Sequence, residues 1–145
     1  MSIVEQTARF MQIGGQLEPE VSGWKNTDHS LRMRLLAEEI REYTDGELHE
    51  DPVETADGLC DIIVIAMGSL IAYFGLEKTR RLLAEVGASN LSKFERIAGQ
   101  LKPVLREDGK ILKGPDYYPP DIARILSSSI ELGDAGKKED GDEQV

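Results

Sequence analysis

Six acidic residues stand in two short segments at spacings that suit a metal site: Glu38, Glu39 and Glu42, then Glu54, Asp57 and Asp61. On a helix turning about 100° per residue, Leu31, Leu35, Glu38 and Glu42 fall within about 60° of one another, with Glu39 at the edge of their stripe. Met33, Leu36, Ile40 and Tyr43 form a second stripe. Arg34, Ala37, Arg41 and Asp45 make the expected solvent side. Glu54, Asp57 and Asp61 likewise share about 60° of a helical wheel. Their stripe runs on through Val64, Ile65 and Gly68, which predicts that it faces the protein interior. Gly58 and Gly68 lie near the same side and would let a neighbouring helix come close.

Acids that prolong an apolar seam are costly to leave uncompensated. Two carboxylates about 5 Å apart repel by roughly 3 kcal/mol at an effective dielectric of 20. A whole domain is stable by only about 5–15 kcal/mol, so several such pairs call for cations. Ligands that are all oxygen suit Mg²⁺ or Mn²⁺, with water completing the shell. The competing reading is a plain solvated acidic face. A di-iron carboxylate bundle needs Glu-x-x-His pairs, and His29 and His49 have Asn26 and Gly46 in the required places.

Residues of the opposite character come later. Asn90 and Lys93 are expected on the side of a helix that carries Leu82, Leu83 and Val86, and Arg106, Lys110 and Lys113 lie within eight positions. Beside an acidic metal site, such groups suit a bridging polyphosphate. The chain has no Walker-type glycine loop, no Gly-x-Ser-x-Gly elbow and no paired cysteines or zinc-ligand spacing.

The elements that must position these groups read as helices. The pattern predicts helices over 4–12, about 30–45, about 52–74, 78–94 and 121–132. Val4, Ala8 and Met11 share one side of the first. Thr27 or Asp28 is expected to cap the second, Asp45-Gly46 to stop it, and Asp51-Pro52 to start the third. Ile122, Ile125, Leu126 and Ile130 are the apolar positions of the last. Val104-Leu105-Arg106 and Lys110-Ile111-Leu112 flank Glu107-Asp108-Gly109, a hairpin signal. The expected fold is all-α, a four- to five-helix bundle with a small C-terminal β-hairpin or extended segment.

Length and composition agree with one domain over 1–132, followed by a disordered acidic tail at 133–145. A net charge of −10 and 6% aromatic residues argue against a nucleic-acid polymer as partner. The start of the chain shows no secretory pattern, and the lone Cys60 fits a reducing cytoplasm and a place in the core. Leu59 to Phe74 is apolar for 16 residues, short of the roughly 20 that span a bilayer. It reads as a central helix covered on all sides by protein, with no membrane partner, and its apolar sides are more than one small bundle alone can cover.

Glu38-Glu39-x-x-Glu42 followed by Glu54-x-x-Asp57 and Asp61 resembles the signature of the MazG-like all-α nucleoside triphosphate pyrophosphohydrolases. The stretches Glu85-Val86-Gly87-Ala88-Ser89-Asn90-Leu91-Ser92-Lys93 and Arg106-Glu107-Asp108-Gly109-Lys110-Ile111-Leu112-Lys113-Gly114-Pro115, with Pro119-Pro120-Asp121-Ile122, resemble the branch related to phosphoribosyl-ATP pyrophosphohydrolase. The resemblance covers about residues 30–126. It departs from the pattern at Gly58, where many relatives carry a Glu, and Asp57 or Glu54 must then supply the missing oxygen.

The resemblance implies Mg²⁺-dependent (or Mn²⁺-dependent) cleavage between the α and β phosphates of a nucleoside triphosphate, with dUTP or dGTP as first candidates. It implies two or three ions held by Glu38, Glu39, Glu42, Asp57 and Asp61. Glu39 or Glu38 would be the general base. Lys93 and Asn90, with Arg106, Lys110 or Lys113, would hold the β and γ phosphates. Trp24, Phe10 or Tyr117 could face the nucleoside, and Gln12 or Asn26 could read a base edge. Relatives form homodimers or dimers of dimers. The alternative is a non-catalytic helical module that binds a nucleotide or a partner through the acidic groove.

Overall fold

A computed structural model describes residues 1–128 of the chain. Ile130, the end of the domain at 132 and the acidic tail lie outside the described residues. The order is α1 (Ile3–Ile13), α2 (His29–Leu48), α3 (Pro52–Phe74), α4 (Leu76–Leu91), β1 (Glu95–Ile97), β2 (Gln100–Lys102) and α5 (Ile122–Ser127). The fold is all-α with one small antiparallel hairpin, as the hydrophobic pattern predicts.

Local chemistry sets most of the helix ends. Ser2 Oγ accepts from Glu5 N while Glu5 Oε2 accepts from Ser2 N at 2.8 Å, a capping box that starts α1. Asp28 caps α2, its Oδ1 accepting from Leu31 N at 2.9 Å. Thr27, the other candidate cap, is buried and donates instead to Gly23 O and Ala72 O. Asp51 caps α3 through Val53 N and Glu54 N, with Pro52 in the first turn where a missing N–H costs nothing. Gly75, at φ 81, ends α3 and begins α4, a reversal that a residue with a Cβ adopts only under strain.

α3 is the hub, with α2 along one side and α1 and α4 on others. Ala8 and Met11 of α1 and Met67, Ile71 and Ala72 of α3 form the core, with Val4, Leu17, Tyr73 and Leu76 packed around it. Burial of a side chain such as Ile71 contributes about 1.5–3 kcal/mol. Leu82 of α4 and Ile125 of α5 are also buried. The extended segment before α5 is strapped to α4: Ser89 Oγ donates to Tyr118 O at 2.8 Å, and Glu85 Oε1 accepts from Asp121 N at 2.9 Å.

Four expectations need correction. α2 does not stop at Asp45-Gly46 but runs to Leu48, because Gly46 is buried against α3, where a Cβ would meet Thr55 N at 2.6 Å. The regular hairpin is β1–β2, with Arg96 opposite Leu101, turning at Ala98 and Gly99, both at positive φ. The expected 104–112 hairpin closes with one bridge, Leu105 to Ile111, and with Leu112 N donating to Val104 O at 2.7 Å. Pro103 has no N–H to extend that ladder. Cys60 is exposed rather than in the core.

The fourth concerns coverage of α3 and α4. Leu59 and Ile63 on α3 and Leu83 and Val86 on α4 are exposed, so neither helix is enclosed where the pattern places its inner side. On α4 the buried positions are Thr79, Leu82 and Ser89. α3 as a whole is 23 residues long and, by length and composition alone, apolar enough to cross a membrane.

Candidate acidic and nucleotide site

α2 and α3 run antiparallel, and their backbones come closest at two glycines. A Cβ on Gly46 would clash with Thr55, and one on Gly58 would lie 2.7 Å from Tyr43 N. Farther along, Arg32 reaches across α2 to Ser69 and Ile65 of α3. These contacts fix which face of α2 turns inward: Arg32, Leu36, Glu39, Tyr43 and Gly46, at alternating spacings of four and three. Glu39 is therefore the most enclosed acid of α2, and Glu38 and Glu42 are exposed beside it. The wheel put Glu39 at an edge. The glycine contacts rotate the helix and bring it in.

Glu39 Oε2 is buried and has no hydrogen-bond partner. Its carboxyl is held above the usual carboxylate range first by that burial, then by the charges of Glu42, Asp61, Glu38 and Asp57. Glu38, Glu42, Asp57 and Asp61 are thus near enough for their charges to act on Glu39. Asp61 is half-buried, Asp57 exposed, and Glu54 does not act on Glu39. None of the ion pairs among the described residues involves any of the five.

Among the described residues, no three acidic, histidine or cysteine side chains converge closely enough to form a ready-made metal cage. Glu39 carries the one buried, orphaned oxygen of these acids, while Glu38, Glu42 and Asp57 are exposed. An all-carboxylate donor set with a buried unpaired oxygen suits a hard divalent cation.

The basic residues lie elsewhere in the chain's own contacts. Lys93 follows the end of α4 and donates through Nζ to Asn90 Oδ1 at 2.8 Å. Arg106 grips Asp108 with Nε to Oδ1 at 2.9 Å and Nη2 to Oδ2 at 2.5 Å. Each partner stabilises the other's charge, raising the Arg106 pKa and lowering that of Asp108. Lys113 sits 4.5 Å over the Tyr117 ring, and Lys110 is exposed. The structure pairs Asn90 with Lys93, and it brings none of these residues into an ion pair with the acidic cluster.

Trp24 is exposed and lies against an aromatic group. It stacks on Phe74 at 5.8 Å and meets His29 edge-on at 4.6 Å, while Trp24 O bonds His29 Nε2 at 2.7 Å. Tyr73 lies within the same group, 4.6 Å from His29.

Spacing alone gives no sign of Arg32, which is only 8% exposed. Burial lowers the pKa of its guanidinium, and the nearby Tyr73 opposes that shift. Arg32 stands in the wall of a cavity of about 340 Å³ that also touches Leu31, Leu35, Asn26, Asp28 and Met11. The sequence trace of this arrangement is Gly68, whose Cβ would lie 2.7 Å from Arg32 Nη2.

No family model matches the chain, and no curated protein is significantly similar to it in sequence.

Proposed function

We propose that the chain is a Mg²⁺-dependent nucleoside triphosphate pyrophosphohydrolase of the MazG-like type, cleaving between the α and β phosphates to give a monophosphate and pyrophosphate. One observation carries the reading. Burial and four neighbouring carboxylates raise the pKa of Glu39, whose Oε2 is buried and unpartnered, and no ion pair among the described residues balances any of the five. Such a cluster is a liability in a fold unless its ligand brings positive charge.

Glu38, Glu39, Glu42, Asp57 and Asp61 are the residues that would hold two or three Mg²⁺ (or Mn²⁺) ions. Bound there, the metal supplies charge neutralisation of the phosphate oxygens and activation of water. Glu39 or Glu38 takes the proton from the attacking water as general base. Lys93 with Asn90, joined by Arg106, Lys110 or Lys113, receives the β and γ phosphates and stabilises the leaving pyrophosphate. Each gives up a present contact to do so. Exposed pairs such as Arg106 with Asp108 are weak in water and exchange readily. Asp57, not Glu54, stands in for the Glu that Gly58 replaces, since Asp57 acts on Glu39 and Glu54 does not.

The exposed apolar residues Leu59 and Ile63 of α3 and Leu83 and Val86 of α4 support assembly as a homodimer or a dimer of dimers. A cytoplasmic setting belongs to the same reading. The test is pyrophosphate release with and without Mg²⁺ across ribo- and deoxynucleoside triphosphates, dUTP and dGTP included. Glu38→Gln and Asp61→Asn should each abolish turnover while helical content stays. Full activity in either variant overturns the assignment. Nucleotide binding without release by the wild type would mark the non-catalytic module instead.

A further inference from the structure

Arg32 is a buried cation with no carboxylate in ion-pair reach among the described residues. Its Nε donates to Ser69 Oγ at 3.0 Å and its Nη2 to Ile65 O at 2.9 Å, both neutral acceptors. A guanidinium carries five N–H donors, so the Nη1 side is left without an acceptor. Nη1 is not among the fully buried unpaired atoms and keeps an opening, but a charge otherwise so withdrawn from water without a counter-group is costly and invites an explanation. Gly68 makes room for it on α3, where a Cβ would lie 2.7 Å from Arg32 Nη2 and 3.2 Å from Met11 Sδ.

The free side of Arg32 borders the cavity of about 340 Å³, whose walls are apolar at Met11, Leu31 and Leu35. Asp28 lines the same cavity, one helical turn before Arg32. Its Oδ1 is occupied by Leu31 N, and its Oδ2 has no partner among the described residues. A buried pure donor and an outer pure acceptor thus stand one turn apart beside an apolar slot. A small apolar cavity with a few fixed polar groups is the form of a ligand pocket. None of the five acids around Glu39 lines this cavity, but those of α2 lie farther along the same helix: Arg32 and Glu39 share the side of α2 that faces α3, and Glu38 and Glu42 follow Leu31 and Leu35 at helical spacing. Arg32 and Glu39 are seven residues apart, about 10 Å along the helix axis, roughly the reach from the outer edge of a nucleobase to its α-phosphate.

We propose that this cavity holds the nucleobase and selects bases with a carbonyl at the end away from the sugar, namely guanine, uracil and thymine, over adenine and cytosine. The proposal rests on the reading of the acids of α2 and α3 as a triphosphate site. With the phosphates at Glu39 the sugar points toward α2's acids, so the far exocyclic group of the base meets Arg32. A carbonyl there accepts from the guanidinium, and the adjoining ring N–H donates to Asp28. Adenine and cytosine turn an amino group, a second donor, toward Arg32. One good two-point contact of this kind discriminates between bases by about tenfold or more.

The test measures two quantities on the full chain. One is kcat/KM for dGTP, dUTP, dTTP, dATP and dCTP with Mg²⁺. The other is the affinity for guanosine, uridine, adenosine and cytidine without metal, by calorimetry. The carbonyl bases should lead by about tenfold or more in both. Asp28→Asn keeps a good helix cap but loses the pure acceptor, so it should erase most of that lead. Arg32→Lys keeps the charge without the planar fork and should weaken carbonyl bases selectively. Equal affinity for both classes of nucleoside overturns the proposal, as does an unchanged ranking in folded Asp28→Asn. Nucleoside selectivity with no triphosphate turnover upholds the pocket and overturns the hydrolase reading. Turnover with no base preference does the reverse.

Discussion

Gly58 lies directly against the backbone of Tyr43, so close that a Cβ on it would sit 2.7 Å from Tyr43 N and 2.9 Å from Tyr43 Cα. This contact sets the rotation of α2 against α3 and with it the neighbours of Glu39. It also explains why no longer acid can stand at position 58 in this chain. The space a side chain would fill is occupied by backbone, and Asp57 lies one residue away on the more open flank.

Gly58→Ala should therefore destabilise the protein by about 2 kcal/mol, the usual scale for overpacking against atoms that cannot move aside. Gly87→Ala is the contrast. Its Cβ would meet nothing within 4 Å inside α4, so the change should stabilise by about 0.5–1 kcal/mol. Urea unfolding of the two variants checks both signs, and equal effects would refute the close-contact account.

Removing the charge of Glu39 should help the metal-free fold. Glu39→Gln is expected to raise its melting temperature by roughly 2–4 °C, because a buried unpaired carboxylate becomes a neutral amide. The wild type should gain stability on adding Mg²⁺, by mass action on the folded form, and Glu39→Gln should gain much less. Thermal unfolding with and without Mg²⁺ measures both, and an equal Mg²⁺ response would detach Glu39 from the site.

Asp57 and Glu54 should separate in the same measurement. Asp57→Asn is expected to lose most of the Mg²⁺ stabilisation and about 100-fold or more in turnover, as the loss of a charge-stabilising group at a reacting centre does. Glu54→Gln should stay within about twofold of wild type, since Glu54 is exposed and is not among the charges that raise Glu39. The reverse order would move the fourth ligand to Glu54.

Ile71 is 2% exposed at the centre of the α1–α3 core. Ile71→Ala should cost about 3 kcal/mol through lost burial and the cavity left behind. It should leave nucleotide selectivity unchanged in protein that remains folded, because the side chain belongs to the α1–α3 core and does not line the Arg32 cavity. A guanidinium denaturation curve and the base ranking report the two halves of this expectation.

Much of the architecture was legible without coordinates, because the signals are local. Asp28 and the Asp51-Pro52 pair mark helix starts through side-chain oxygens and a missing N–H. Val4, Ala8 and Met11 recur at helical spacing and do lie on the inner side of α1, with Ala8 and Met11 buried. The five acids are on α2 and α3 as their spacing implied. The Asp-Gly hairpin was half right: its strands touch at one bridge, while Ala98-Gly99 makes the regular turn. Ala98 is a residue that rarely accepts positive φ, so the turn carried little sequence signal.

The sequence by itself determined which segments are helical, where most of them begin, and that six acids ride on two of them at helical spacing. Those outcomes depend on neighbours a few residues apart. Only the tertiary structure decided that Glu39 turns inward, that α2 continues through Gly46, and that Arg32 is buried beside a cavity. Each follows from where α2 and α3 touch. That contact is set by glycines whose partners lie about ten to fifteen residues away along the chain, at Thr55 for Gly46 and Tyr43 for Gly58, and farther still at Arg32 for Gly68. A helical wheel gives the angle between side chains on one helix. It does not give the angle of that helix to its neighbour, which close packing alone fixes.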